Sequence, residues 1–387
     1  MKKILALVLS MTLVFGLAAC AQETPAPTTP TTPTTPTTPT TPTTPTTPEP
    51  TTFRVAMVTD IGDIDDRSFN QGTWEGVVAW AERNNITHRY YRPLEPGTAA
   101  TLDAIALAVR GGAEIIVTPG FLFAEAVFEA QALYPDVRFV IIDTVPEKDG
   151  TPLVGSNTVS ILFEEHESGF LAGYAAVQDG FRKLGYFGGI PVPAVIKFGL
   201  GFVAGANYAA QELGVDIELG DDRFDYFFSF APSDDAKNAA AAWYLQGTEI
   251  IFVAAGGAGT SVMAAAEEAG AKVIGVDVDQ SSLSPTVVTS ALKQLGIAAG
   301  QALQDWLDGT FPGGETQRKG AANDGVGLPE DFSRLNNPAE TRVAYDAVYA
   351  RIAAGDLVVP STYAELVDFL TTQGISTANI PLQSSVE

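Results

Sequence analysis

Short apolar runs recur along the chain at 53–59, 114–118, 137–143, 183–187, 224–230, 249–255, 272–277 and 286–290. Alanine-rich helical stretches lie between them, at 99–111, 123–133, 165–179, 198–212, 234–246 and 259–269. Several runs are apolar without interruption, as in Ile-Ile-Phe-Val-Ala-Ala, which follows Glu249 in the run 249–255. A strand needs apolar residues on both faces when helices cover both sides of a parallel sheet. Strand, turn and helix repeated in this way predict an α/β, doubly wound architecture. The roughly 335 residues from 53 onward exceed one ordinary core and suit two domains.

The stretch 60–76 links the first strand to a helix and is the first candidate for a site. Ser68 followed by Gln71 has the spacing of a capping box and predicts a helix beginning at about Phe69. Trp74, Val77, Val78 and Ala81 then form one apolar stripe expected to face a sheet. Ligands of open α/β sheets sit at the carboxyl ends of the strands. There, Asp60, Asp143 and Asp277 each close an apolar run. Carboxylates at that lip accept hydrogen bonds from ligand hydroxyls or amines. Any one of them can instead satisfy loop amides or cap a helix, but three together favour a polar ligand.

The amino-terminal part has a different character. Lys2 and Lys3 precede an apolar stretch at 4–15, and Leu-Ala-Ala-Cys closes it at 17–20. Residues 1–19 therefore read as a secretory signal, too short for a stable span. Cys20, the one cysteine, stands where a bacterial lipobox has it, and that resemblance implies cleavage before Cys20 and its lipidation. Thr-Thr-Pro repeats fill 28–48, so 20–52 read as a lipidated cysteine with an extended Thr/Pro linker reaching up to about 65 Å. Glycosylation of its threonines is a further possibility.

A single cysteine leaves no intrachain disulfide and no zinc–cysteine site. The formal charge of −24 becomes −26 once residues 1–19 leave with their two lysines. Such a surface argues against nucleic acid, which needs clustered Lys and Arg. No Gly-Lys-Ser/Thr follows a glycine-rich turn and no Gly-x-Ser-x-Gly occurs. His88 and His166 are the two imidazoles, and His166 in Glu-Glu-His-Glu at 164–167 reads as part of a solvated or interlobe polar patch. Gly257-Ala-Gly259 imitates a dinucleotide turn, but Val262 replaces the last small residue, so a plain strand–helix turn is the better reading. Asp63, Asp65 and Asp66 resemble a calcium loop without its glycine and distal Glu. Carboxylate pairs of the glycosidase kind remain as a weaker alternative. No metal, cofactor or catalytic residue is expected.

Aromatics add a further hint. Phe121, Phe123, Phe198, Phe202 and the run 224–230 read as core by default, whereas Phe69 sits in a polar loop beside Asn70. Stacking between aromatic faces is a common way to hold a base.

Several motifs carry a resemblance to a known family. They are DRSFNQGTWEG (66–76), PGFLF (119–123), FVIID (139–143), FEEHESGFLAG (163–173), GYFGG (185–189), FGLGF (198–202), AG (255–256), GVDVDQ (275–280) and TSALK (289–293). Over about 53–300 the chain resembles the basic membrane protein (Bmp/PnrA-like) substrate-binding lipoproteins of bacterial ABC transporters. The resemblance implies a type I periplasmic-binding fold with two doubly wound lobes joined by a hinge. From it, lobe I is expected over 53–158 plus 276–309 and lobe II over 159–275 plus 310–387. It also implies a purine nucleoside stacked between Phe69 and an aromatic of 224–230, here Phe230. Asp60 and Asn70 lie beside the base, Asp143 bonds its edge, Asp277 and Lys293 grip the ribose, and the Gly257 backbone is nearby. The expected protein is a monomeric, non-enzymatic receptor, lipid-anchored outside the cytoplasm, that delivers its ligand to an ABC permease. With one lysine and no arginine in the expected cleft, nucleosides are favoured over nucleotides. Another polar or aromatic solute, a ligand sensor with a membrane signalling partner, and an enzyme acting on nucleosides are the alternatives.

Overall fold

All eight apolar runs contribute strands, the one at 224–230 only over its first three residues, and they divide between two mostly parallel sheets. The computed structural model describes residues 53–386 apart from Ile61 and Asn379; the expected signal, Cys20 and linker lie outside the described residues. The chain begins with β1 (Val55–Val58), α1 (Phe69–Arg83), β2 (His88–Tyr91), α2 (Thr98–Arg110) and β3 (Ile115–Pro119). It continues through α3 (Ala124–Leu133), β4 (Arg138–Ile142), a small hairpin of β5 (Glu147–Lys148) and β6 (Thr151–Pro152), and β7 (Thr158–Phe163). Next come α4 (Glu165–Gln178), β8 (Leu184–Gly188), α5 (Pro193–Leu213), β9 (Phe224–Tyr226), α6 (Asp234–Leu245) and β10 (Ile250–Ala254). The rest is α7 (Gly259–Ala269), β11 (Lys272–Asp277), β12 (Val287–Lys293), α8 (Leu295–Leu307), β13 (Thr316–Lys319), β14 (Val326–Gly327), α9 (Pro338–Ala353), α10 (Tyr363–Thr372) and α11 (Gln383–Val386).

The first sheet has the order β13-β7-β4-β3-β1-β2, with every pairing parallel. The second runs β14-β12-β11-β10-β8-β9, parallel except for the short β14 on its edge. Central strands such as β3 and β10 are buried along their whole length, which is why their sequences do not alternate. Edge strand β2, His-Arg-Tyr-Tyr, is half exposed and had no apolar signature to find. Among the described residues no helix is long and apolar enough to cross a membrane.

Strand pairing corrects the expected lobe boundaries. β7 lies beside β4, so the first sheet extends past 158 to Phe163. β12 pairs with β11 and belongs to the second sheet rather than the first. α8 returns to pack on α1, and β13 adds to the first sheet beyond residue 310. The chain therefore passes between sheets at Glu164, Gln294 and Gly320. These passages are tied together: Glu164 N donates to Lys319 O at 2.9 Å, and Gln294 N to Gly325 O at 3.0 Å.

The second half is held by α4 against α5, where glycines let the two backbones touch. A Cβ on Gly201 would overlap the carbonyl of His166, and one on Gly205 would overlap that of Phe170. Backbone cannot yield as a flexible side chain can. Gly205→Ala should therefore lower stability by about 1–3 kcal/mol, the usual cost of overpacking, read as a lower urea midpoint. An unchanged midpoint would mean the helices separate freely. This contact also fixes the first turn of α4, which reaches the site.

Candidate ligand-binding cleft

The helix start at Phe69 is as expected, but its capping is not. Ser68 makes no cap hydrogen bond. Asp66 takes that role, accepting from the backbone N–H of Ser68, Asn70 and Gln71 at 2.9, 2.8 and 3.0 Å. Gln71 Oε1 accepts from Arg67 N instead. Ser68 is thereby free to turn its hydroxyl onto Asp277 of the second sheet, to which it donates. The helix buries Asn70, Thr73, Val77, Trp80 and Ala81, while Trp74 packs half-exposed against His88 and Tyr90.

Between the carboxyl ends of the two sheets lies a cleft of about 700 Å³, within the usual range for a small-molecule site. Asp60, Phe69, Asn70, Asp143, Phe230, Gly257, Asp277 and Lys293 all line it. Phe69 comes from the first half and Phe230 from the loop after β9. Gly189 makes room for Phe230, since a Cβ there would strike the ring. Phe230 O accepts from Ala258 N at 2.9 Å, which fastens its loop to the turn at 256–258. Asp143 and Asp277 both take left-handed backbone, with φ of 67° and 66°, a conformation Asp tolerates. Asp60 partly follows the structural alternative, accepting from Gly62 N at 2.7 Å.

Lys293 is the electrostatic centre. Its ammonium pairs with Asp143 and lies 3.3 Å from Glu165 Oε1, while Lys197 holds the other oxygen of Glu165 at 3.4 Å. The ammonium also stands 4.7 Å from the Phe69 ring centroid. Burial opposes the charge on Lys293, but Asp143, Glu165 and Asp277 outweigh it and raise its pKa. One ammonium cannot keep every buried carboxylate ionised. Burial pushes Asp143 up to about 7 against the pull of Lys293, and burial also raises Asp60 and Asp277.

The sequence model of the Bmp family, described as ABC transporter substrate-binding protein PnrA-like, matches residues 53–347. The chain belongs to this family. A Lactococcus lactis relative, named ABC transporter nucleoside-binding protein BmpA, is 31% identical over 332 residues, covering 80% of this chain and 90% of that one. Basic membrane protein A of Borreliella burgdorferi is 29% identical over 322 residues, 82% and 90% of the two chains. Among solved structures, an ABC transporter solute-binding protein from Aeropyrum pernix aligns with a TM-score of 0.69 at 22% identity, covering 83% of this chain and 97% of that one. Another, from Conexibacter woesei, gives 0.65 at 21%, with 80% and 99% covered. These neighbours carry the fold, a two-lobed periplasmic-binding architecture. As a Bmp-family member the protein is a substrate-binding component of an ABC transporter, taking a small solute for a permease, and not an enzyme.

Several cleft residues of this Bmp protein escaped the sequence reading. Phe121, read as core by default, is part-exposed and lines the cleft; Phe198 is core as read but also borders the cleft, and Phe123 is core. Arg67 lines it as well, which corrects the expectation of a cleft without arginine. Glu165, outside the lining but 3.3 Å from Lys293, belongs to the acidic run read as a solvated or interlobe patch, and it is buried rather than solvated. His166 is buried too, with Nδ1 3.7 Å from Glu164 and its pKa lowered by that burial. Val262 is fully buried behind the Gly-rich turn, in keeping with a strand–helix connection. Asp63 pairs with Arg92 at 2.6 Å, and no group of three potential ligands for a metal occurs among the described residues.

The Asp143 proton gives a pH dependence. The folded protein holds it more tightly than the unfolded chain, so its stabilisation is complete below the ordinary aspartate value of 3.8 and is lost as pH rises from there through about 7. Asp143→Asn should remove this component. Urea titrations at pH 5 and pH 8 should show wild type losing more stability than the variant; parallel losses would place the proton elsewhere.

Proposed function

We propose that this Bmp protein is a lipid-anchored, extracytoplasmic receptor that captures a purine nucleoside and presents it to an ABC permease. The observation that carries the reading is one cleft lined by Phe69 and Phe230 from the two halves, with buried Asp277 and Lys293 and the largely covered side chain of Asp143 beside them. The base stacks between the rings, with Asp60 and Asn70 along one side and Asp143 on its edge. Asp277 accepts from the ribose hydroxyls, Lys293 donates to their oxygens, and the Gly257 backbone closes the site. The name of the Lactococcus relative, a nucleoside-binding protein, supports the same solute class.

Closure about the passages at Glu164, Gln294 and Gly320 would couple binding to docking, since a ligand that touches both halves favours the closed state. Six aspartates line the cleft against Arg67 and Lys293, and this charge balance disfavours a phosphate. Cys20 supplies the anchor and the Thr/Pro linker the reach, with the receptor acting as a monomer.

The test is thermal unfolding of ligand-stripped protein with nucleosides, free bases, ribose and nucleoside monophosphates. A ligand at a thousand times its Kd stabilises by about 4 kcal/mol. Purine nucleosides should raise the Tm, while ribose, free base and monophosphate should do so less. A panel without any shift, or a larger shift with the monophosphate, would overturn the reading.

A further inference from the structure

The Asn70 amide lies between two carboxylates. Its Nδ2 donates to Asp60 Oδ1 and to Asp66 Oδ2, each at 3.0 Å. Both amide protons are committed, and two acceptors on one side settle which end of the amide is nitrogen. The oxygen is buried and has no hydrogen-bond partner within the protein. Asn70 is 3% exposed and lines the cleft, so an acceptor is what it offers a ligand.

The surroundings hold that orientation. Asp66 is itself immobilised by three backbone N–H groups at the start of α1. Gly62 leaves the space, because a Cβ there would stand 2.6 Å from Asn70 Nδ2. A rotated amide would set its oxygen against Asp60 and Asp66, acceptor facing acceptor.

We propose that Asp66 is a positioning residue that makes Asn70 an obligate hydrogen-bond acceptor, so that the cleft selects nucleosides whose base carries an N–H donor. The inference rests on the nucleoside reading above. Adenine supplies such a donor through its exocyclic amine and hypoxanthine through its ring N–H. Purine riboside, with hydrogen at position 6, has none on its base. A base that pairs this buried acceptor should bind about 5- to 150-fold more tightly than one that leaves it unpaired.

Calorimetric titration of the ligand-stripped chain with adenosine, inosine and purine riboside tests this. Wild type should bind adenosine and inosine at least about fivefold more tightly than purine riboside. Asp66→Asn keeps a side-chain oxygen for the helix start but presents one acceptor fewer to Asn70, whose amide can then turn. Its preference for adenosine over purine riboside should shrink towards one, mainly through tighter binding of purine riboside. Equal wild-type affinities for all three would overturn the inference while leaving the nucleoside reading intact. An Asp66→Asn protein with undiminished preference would remove Asp66 from the role. Failure of every nucleoside to bind would overturn the underlying reading itself.

Discussion

Replacing Lys293 by methionine should destabilise the protein by about 3–5 kcal/mol, the cost of breaking a buried ion pair from one side. Methionine fills much of the same volume, so the loss is electrostatic rather than a cavity. Asp143 and Glu165 would remain buried without the ammonium that now lies between them. Acid should soften the effect, since a buried carboxyl without a counterion takes up a proton. The deficit in urea-derived stability should therefore be larger at pH 8 than at pH 5. A variant as stable as wild type at pH 8 would show that Lys293 is not the counterion of this cluster. Nucleoside binding should be lost as well, because the same side chain is proposed to reach the ribose.

Phe69→Ala should separate binding from folding. Stacking contributes about 1–3 kcal/mol per base, so the affinity for a purine nucleoside should fall by roughly 5- to 150-fold. Phe69 is only half buried and faces the cleft, so its removal should cost the fold less than truncating a core ring. Phe202→Ala gives the contrast: that ring is fully buried and does not line the cleft, and losing it should cost about 3–5 kcal/mol of stability. Titration calorimetry beside urea unfolding reads both quantities. Unchanged affinity in a folded Phe69→Ala protein would remove Phe69 from the base site.

What could be read from sequence depended on whether the information was local. The long helices and central strands announce themselves through periodicity and unbroken apolar runs, and α7 falls on its expected bounds of 259–269. Strand order is not local. Nothing in the residues of β12 says that it pairs with β11, so the lobe boundaries were misplaced there. β7, Thr-Val-Ser-Ile-Leu-Phe, mixes polar and apolar positions and runs directly into α4, which concealed it.

The cleft shows the same division. Aspartates that end apolar strands can be placed at the carboxyl lip of a sheet before any coordinates exist, and Asp60, Asp143 and Asp277 are found there. Glu165 could not be, because its ion pairs with Lys293 and Lys197 come from segments distant in the chain. The capping pattern misled for a related reason. Ser68 fits a local rule, but a partner about two hundred residues away, Asp277, claims its hydroxyl.

The most direct test of the central claim is a crystal structure of the ligand-stripped chain resaturated with adenosine. The account predicts the base between Phe69 and Phe230, with the ribose hydroxyls on Asp277 and Lys293. Adenosine bound outside this cleft, or with its ribose turned away from both residues, would contradict it.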